Sequence, residues 1–94
     1  QKVAETDRIF AFQDINPQAP VHVLVIPKEH TPDIAGTQNS QVFADVINGL
    51  RQIAQELQLS DYRVTINNGE AAGESVFHLH AHLLAGRSFG WPPG

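Results

Sequence analysis

The stretch His78-Leu79-His80-Ala81-His82, running on into Leu83-Leu84, holds three of the chain's five histidines at alternate positions. Period-two alternation of polar and apolar residues marks an extended strand, whose successive side chains point to opposite faces. A strand puts His78, His80 and His82 on one face and Leu79, Ala81 and Leu83 on the other, against a core. Neighbouring imidazoles then attach to Cα atoms about 6.8 Å apart, twice the rise per residue. A helix would splay the same residues around its axis. Any sheet that accepts this strand must therefore carry a row of imidazoles on one surface.

The remaining pattern supplies such a sheet. Residues 1–8 read as the end of a short strand and a turn at Thr6-Asp7. Ile9 to Asp14 is rich in β-formers and stops at Asn16-Pro17, which breaks helix and ladder alike. Val21 to Ile26 is a dense β-branched run closed by Pro27, with His22 on the face of Leu24 and Ile26. So short a connection makes these two strands antiparallel neighbours. Lys28 to Gly36 is irregular, with a short helical turn expected from Thr31-Pro32-Asp33 to Gly36. From an N-cap at Asn39 or Ser40, apolar residues fall at 42, 43, 46, 47, 50, 53, 54 and 57. Those steps of three and four define an amphipathic helix of about five turns that covers a core. Tyr62 to Asn67 is another strand, and Asn68 to Gly73 a glycine-containing loop leading to Glu74-Ser75 and the histidine strand, which is expected to end near Ala85. Trp91-Pro92-Pro93-Gly94 cannot be helix or inner strand and is suited to docking on another surface. The order, a strand fragment followed by β, β, α, β, β, predicts an α+β fold: an antiparallel sheet with a long helix on one face.

Composition narrows the function classes. Ninety-four residues fit one small domain, 1–94, for which help from a partner subunit is plausible. Net charge is −4 and the six Lys and Arg are dispersed, which argues against a nucleic-acid groove. There is no cysteine, hence no disulfide framework or thiolate zinc site, in keeping with a cytoplasmic location. No apolar run is long enough for a membrane span. The chain contains no Met and opens on Gln1, so an N-terminal segment is expected to be missing.

The residues alone leave three readings of the histidine face. The rings could be polar residues on a solvated edge, although clustered imidazoles suppress each other's protonation and pack poorly for stability alone. They could be a three-histidine metal site. They could serve nucleophilic catalysis, a neutral imidazole attacking through one nitrogen while the other is held. Ser75 before the strand and Asn67 across the loop add neutral donors suited to phosphate oxygens or a leaving group. No carboxylate lies on the strand itself to offset a metal's charge, and Glu70 and Glu74 read as solvated loop residues.

His78-Leu79-His80-Ala81-His82-Leu83-Leu84 resembles the signature of the histidine triad (HIT) family, His-φ-His-φ-His-φ-φ with φ apolar. The likeness extends over Phe12 to Pro20, over Val21 to His30, and over Asn67 to Ser75. The ending Gly86-Arg87 … Trp91-Pro92-Pro93-Gly94 is similar to that of the nucleotide-binding (Hint) branch. The resemblance implies a five-stranded antiparallel sheet continued across a homodimer. It implies cleavage of purine nucleoside phosphoramidates or of aminoacyl- and acyl-adenylates to AMP, with neither metal nor other cofactor. His80 would be the nucleophile and His82 would hold a phosphate oxygen. His78 and His22 would form a hydrogen-bonded chain fixing the nucleophile's tautomer. Ser75 would donate to the leaving group, Asn67 to the phosphate side, and Asp14 would accept from ribose hydroxyls. Phe12, Ile15 and Leu24 would line the base pocket, and Trp91 would lie near the partner's site. The alternative implied by the same fold is a non-catalytic module that binds AMP-like ligands or partner proteins.

Overall fold

The computed structural model describes residues 1–94. Its strands are β1 (Lys2–Glu5), β2 (Ile9–Gln13), β3 (Val21–Pro27), β4 (Tyr62–Thr65) and β5 (Ala81–Ala85), with one α-helix, α1 (Ser40–Glu56), between β3 and β4. The strands form one antiparallel sheet in the order β1-β2-β3-β5-β4. The α+β architecture expected from the alternation and the helical repeat is the one observed.

Alternation divides the sheet into two unlike faces. Ile9 and Ala11 of β2, Val23 and Val25 of β3, and Ala81 and Leu83 of β5 point to one side. There they form a single core with Val42, Val46, Leu50 and Ile53 of α1, and Leu79 joins them. Removing these side chains from water is the main drive to fold. The helix seats closely because Gly49 faces the sheet: a Cβ there would lie 3.1 Å from Ile9 Cγ1. Asn39 caps α1, its side chain accepting from the Gln41 N–H at 3.0 Å. That bond satisfies one of the donors a helix start leaves unpaired. Ile47 and Leu57, at the margin of the apolar stripe, remain partly in solvent.

Three local expectations are corrected. The segment from Thr31 to Gly36 holds one turn over residues 34–36 and no helix: Asp33 accepts from the Gly36 N–H at 2.7 Å as an N-cap would, but the Thr37 N–H closes a single long bond to the Ile34 carbonyl at 3.4 Å and nothing continues it. The β4 ladder ends at Thr65, two residues early. The β5 ladder starts at Ala81, so His78 and His80 precede it. Its last partner on β3 is Val25, and upstream the Leu79 N–H turns instead to the Thr31 carbonyl at 2.9 Å. The chain stays extended enough to preserve alternation: Leu79, Ala81 and Leu83 are buried, while His78, His80 and His82 are only partly covered.

At the β1 edge, Glu5 meets Lys28 at 2.7 Å and Lys2 at 3.3 Å. The bond and charge of Lys28, then those of Lys2, hold its carboxyl below the usual value. Charged side chains of this kind blunt an exposed strand edge. The β4 edge is different, with Tyr62 and Val64 both substantially exposed.

Candidate active site

The sheet face opposite α1 carries the histidines. Register places Phe12, Leu24, His82 and Thr65 in one row across β2, β3, β5 and β4. A second row joins His22, Leu84 and Arg63. Directly opposed residues in an antiparallel sheet point the same way. His22 and His82 are thus diagonal neighbours on a surface that also offers the apolar side chains of Phe12 and Leu24. The ring centroids of His22 and His82 are 5.1 Å apart, as are those of His80 and His82.

The hydrogen bonds assign a tautomer to each ring. The Gln18 backbone N–H donates to His22 Nδ1 at 3.0 Å, so that nitrogen holds a lone pair and neutral His22 carries its proton on Nε2. His22 Nε2 lies 2.9 Å from His82 Nδ1 and must donate to it. Neutral His82 is therefore protonated on Nε2. His80 behaves in the opposite sense. Its Nδ1 is 2.8 Å from the His78 carbonyl, which can only accept. Neutral His80 is Nδ1–H and keeps its lone pair on Nε2. His78 Nε2 donates to the Pro27 carbonyl at 3.2 Å. The two central rings are thus complementary: His80 offers a lone pair and His82 beside it offers an N–H.

Asp14 ties the histidine pair to the loop that follows β2. Its Oδ1 accepts from the Asn16 N–H at 2.8 Å, opening the loop, and its Oδ2 lies 3.5 Å from His22 Nε2. The carboxylate both caps a turn and faces the histidine pair.

Residues 1–89 match the family model for the HIT domain. An uncharacterised HIT-like protein of Synechocystis sp. is 44% identical over 95 residues, covering 98% of this chain and 83% of the relative. The crystal structure of a HIT family hydrolase from Legionella pneumophila superposes with a TM-score of 0.93 at 41% identity, covering 99% of this chain and 87% of that one. A histidine triad nucleotide-binding protein from Candida albicans gives a TM-score of 0.83 at 31% identity, covering 97% of this chain and 73% of that one. The chain belongs to the HIT family.

The HIT signature is therefore in place, but its rings are wired differently from the chain of bonds expected. His22 bonds His82, not the His80 side of the site. The His78 ring faces away from His80, towards Pro27 and the edge of His30 at a centroid distance of 5.1 Å. What fixes the His80 tautomer is the backbone carbonyl of His78, because His80 Nδ1 folds back on its own chain. Ser75 is exposed, Asn67 is partly buried beside Gly73, and neither is hydrogen-bonded to the triad. Ile15 is 99% exposed at the loop tip and Trp91 84% exposed on the tail, so neither packs on the open face of this chain.

Several contributors carry little or no sequence signal. The Gln18 N–H and the carbonyls of His78 and Pro27 are backbone groups, which any residue supplies. Glu74 is a correction: it is buried, not solvated, and its Oε1 accepts from the Gly69 N–H at 2.6 Å. That bond and the reverse one from the Glu74 N–H to the Gly69 carbonyl close the loop just before Ser75. Gly69 and Gly73 hold φ of +96° and +102° there, conformations that favour glycine.

The three triad rings do not converge on a point where one ion could sit. The set that does converge is Asp14, His22 and His82, whose ligand atoms lie within 4.8 Å of one another. Two of those nitrogens are closed on each other by a hydrogen bond. Tetrahedral zinc would spread them to roughly 3.3 Å and displace that proton. A concavity of about 980 Å³ lies between Gln58–Arg63 and Ala85–Phe89 and includes no histidine. The triad lies on the open sheet face instead.

Burial first, then the neighbouring His80 and His22 rings, hold His82 below the ordinary imidazole pKa, with Asp14 opposing. Protonation would also set a second N–H against the one His22 already points at Nδ1. Because the folded value is depressed, the unfolded chain takes up the proton first as the pH falls. The contribution of His82 to stability is thus complete above about pH 6.5 and is lost as the pH drops through the folded pKa. Following the His82 ring proton by NMR should give a midpoint below 6.5. A midpoint at or above that value would contradict the assigned environment.

Proposed function

We propose that the chain hydrolyses purine nucleoside phosphoramidates or aminoacyl- and acyl-adenylates to AMP through a covalent nucleotidyl-His80. The observation that carries this reading is the 2.8 Å bond from His80 Nδ1 to the His78 carbonyl, which leaves the attacking lone pair on Nε2. In the first step Nε2 attacks the α-phosphorus. The bond from phosphorus to the amine nitrogen or acyl oxygen breaks and that atom leaves with the electron pair, Ser75 donating a hydrogen bond to it; an amine takes its proton from solvent, to which the attacking water of the second step returns one, and an acyl group leaves as the carboxylate. In the second step water adds to phosphorus and the bond to Nε2 breaks, releasing AMP and restoring His80. Splitting one displacement into two is the usual advantage of a nucleophilic side chain. The His82 Nε2–H stabilises charge on a phosphate oxygen. Asn67 serves the phosphate side, Asp14 accepts from ribose hydroxyls, and Phe12 and Leu24 offer an apolar surface to the base. The test is AMP release from an adenosine phosphoramidate by EDTA-treated protein. Turnover supports the reading; AMP bound without turnover would favour a binding module.

The same reading includes a homodimer joined along β4, whose outer edge is unpaired and carries the exposed Tyr62 and Val64. An unpaired strand edge is a template for strand addition. Light scattering should report twice the mass of the chain, and a stable monomer would exclude this arrangement.

A further inference from the structure

Arg87 does not touch the histidines, yet it is bonded to the residue that sets them. Its Nε donates to the Gln18 carbonyl at 3.0 Å, and the Gln18 N–H is the donor to His22 Nδ1. Two adjacent peptide groups of one loop residue are thus held, one by the arginine and one by the imidazole. The approach depends on Gly86, which leaves β5 at φ +96° with Pro20 so close that a Cβ would lie 2.8 Å from the proline Cβ. On its other side Arg87 stacks over the Phe89 ring at 4.4 Å. Arg63, which shares a sheet row with His22, lies 5.2 Å from the same ring and donates to the Gly90 carbonyl at 3.0 Å. The tail just before Trp91 is clamped between two guanidinium groups, one of them attached to the active-site loop.

We propose that Arg87 is a positioning residue that holds the Gln18 loop so that His22 and His82 both remain in their Nε2–H tautomers, and that it couples this relay to the Trp91 tail. The relay has two self-consistent neutral states. With the Gln18 N–H in place, the proton between the rings belongs to His22 and His82 presents an N–H outward. If that donor drifts away, His22 can shift to Nδ1–H and accept from His82 Nδ1. His82 then presents a lone pair where the proposed chemistry puts a phosphate oxygen, and attraction becomes repulsion. A tautomer error of this kind is costly even when geometry survives. This inference rests on the proposed hydrolase for its functional consequence, but its structural content does not.

The test compares wild-type protein with Arg87→Met, which keeps an apolar stem against Phe89 but cannot donate, and with Arg87→Lys, which can. Long-range ¹H–¹⁵N NMR of histidine-labelled protein reads the tautomers directly. Wild type should show protonated Nε2 at His22 and His82. Arg87→Met should show mixed tautomers at both, with kcat lowered by about tenfold or more and KM changed much less. Arg87→Lys should restore the wild-type pattern. Unchanged tautomers in the folded methionine variant would overturn the proposal, as would a lysine variant that behaves like the methionine one. If no variant or wild type turns over substrate but the tautomers respond, the hydrolase reading fails and this one stands. If turnover is normal and the tautomers do not respond, only this one fails.

Discussion

Replacing His80 by alanine should reduce AMP release from an adenosine phosphoramidate by about three orders of magnitude or more, the scale seen when a nucleophile is deleted. The expected size follows from His80 being the ring whose lone pair is left on Nε2. His82 has its Nδ1 taken by His22, and His78 has its Nε2 on Pro27. His82 could substitute only by breaking its bond to His22, and the His78 ring is turned towards Pro27 and His30. His80→Asn is the sharper variant. It keeps a side-chain N–H within reach of the His78 carbonyl and should still bind AMP while losing turnover. Equal turnover by His80→Ala and wild type, measured by chromatographic AMP release, would remove the proposed chemistry.

Leu83→Ala should lower the stability of the fold by about 3 kcal/mol through lost burial and the cavity left behind. Leu83 is fully buried, lies between Val23 and Val64 in the sheet, and points at α1 from the strand position next to His82. For a chain of this size such a loss lowers Tm by roughly 12–20 °C. Ile47→Ala makes the comparison, because Ile47 is 46% exposed at the margin of the helix stripe. It should cost no more than about 1 kcal/mol. Similar melting temperatures for the two variants would contradict the division of the sheet into a core face and an open face.

The histidine strand was the most legible part of the sequence because its information lies in side chains. Alternation alone puts Leu79, Ala81 and Leu83 in the core and the three histidines outside it, and His22 with Leu24. The steps in α1 were readable for the same reason. The start of β5 was not, because it depends on the Leu79 N–H choosing the distant Thr31 carbonyl over a sheet partner. The difference between His80 and His82 was legible only as a family resemblance. In the structure it comes from a carbonyl and a peptide N–H, groups that every residue offers and no side-chain pattern reveals. Glu74 misled for a related reason: a carboxylate on a glycine-containing loop reads as solvated unless the Gly69 N–H it accepts from is known to face it. Arg87 stands out in the sequence only as part of the family-like ending, because its reach to Gln18 spans most of the chain.

The pattern of bonds makes the three triad histidines chemically unequal. A lone pair and an N–H stand side by side, the first fixed by the His78 carbonyl and the second by His22, whose own tautomer the Gln18 N–H sets. The central claim is that phosphorus passes through a bond to one of these nitrogens, and intact-protein mass spectrometry tests it most directly. Acid-free quenching during turnover of a slowly hydrolysed acyl-adenylate analogue should reveal one nucleotidyl group per chain, mapped by fragmentation to His80. A turnover-competent protein with no such adduct, or with the adduct on another residue, would contradict the account.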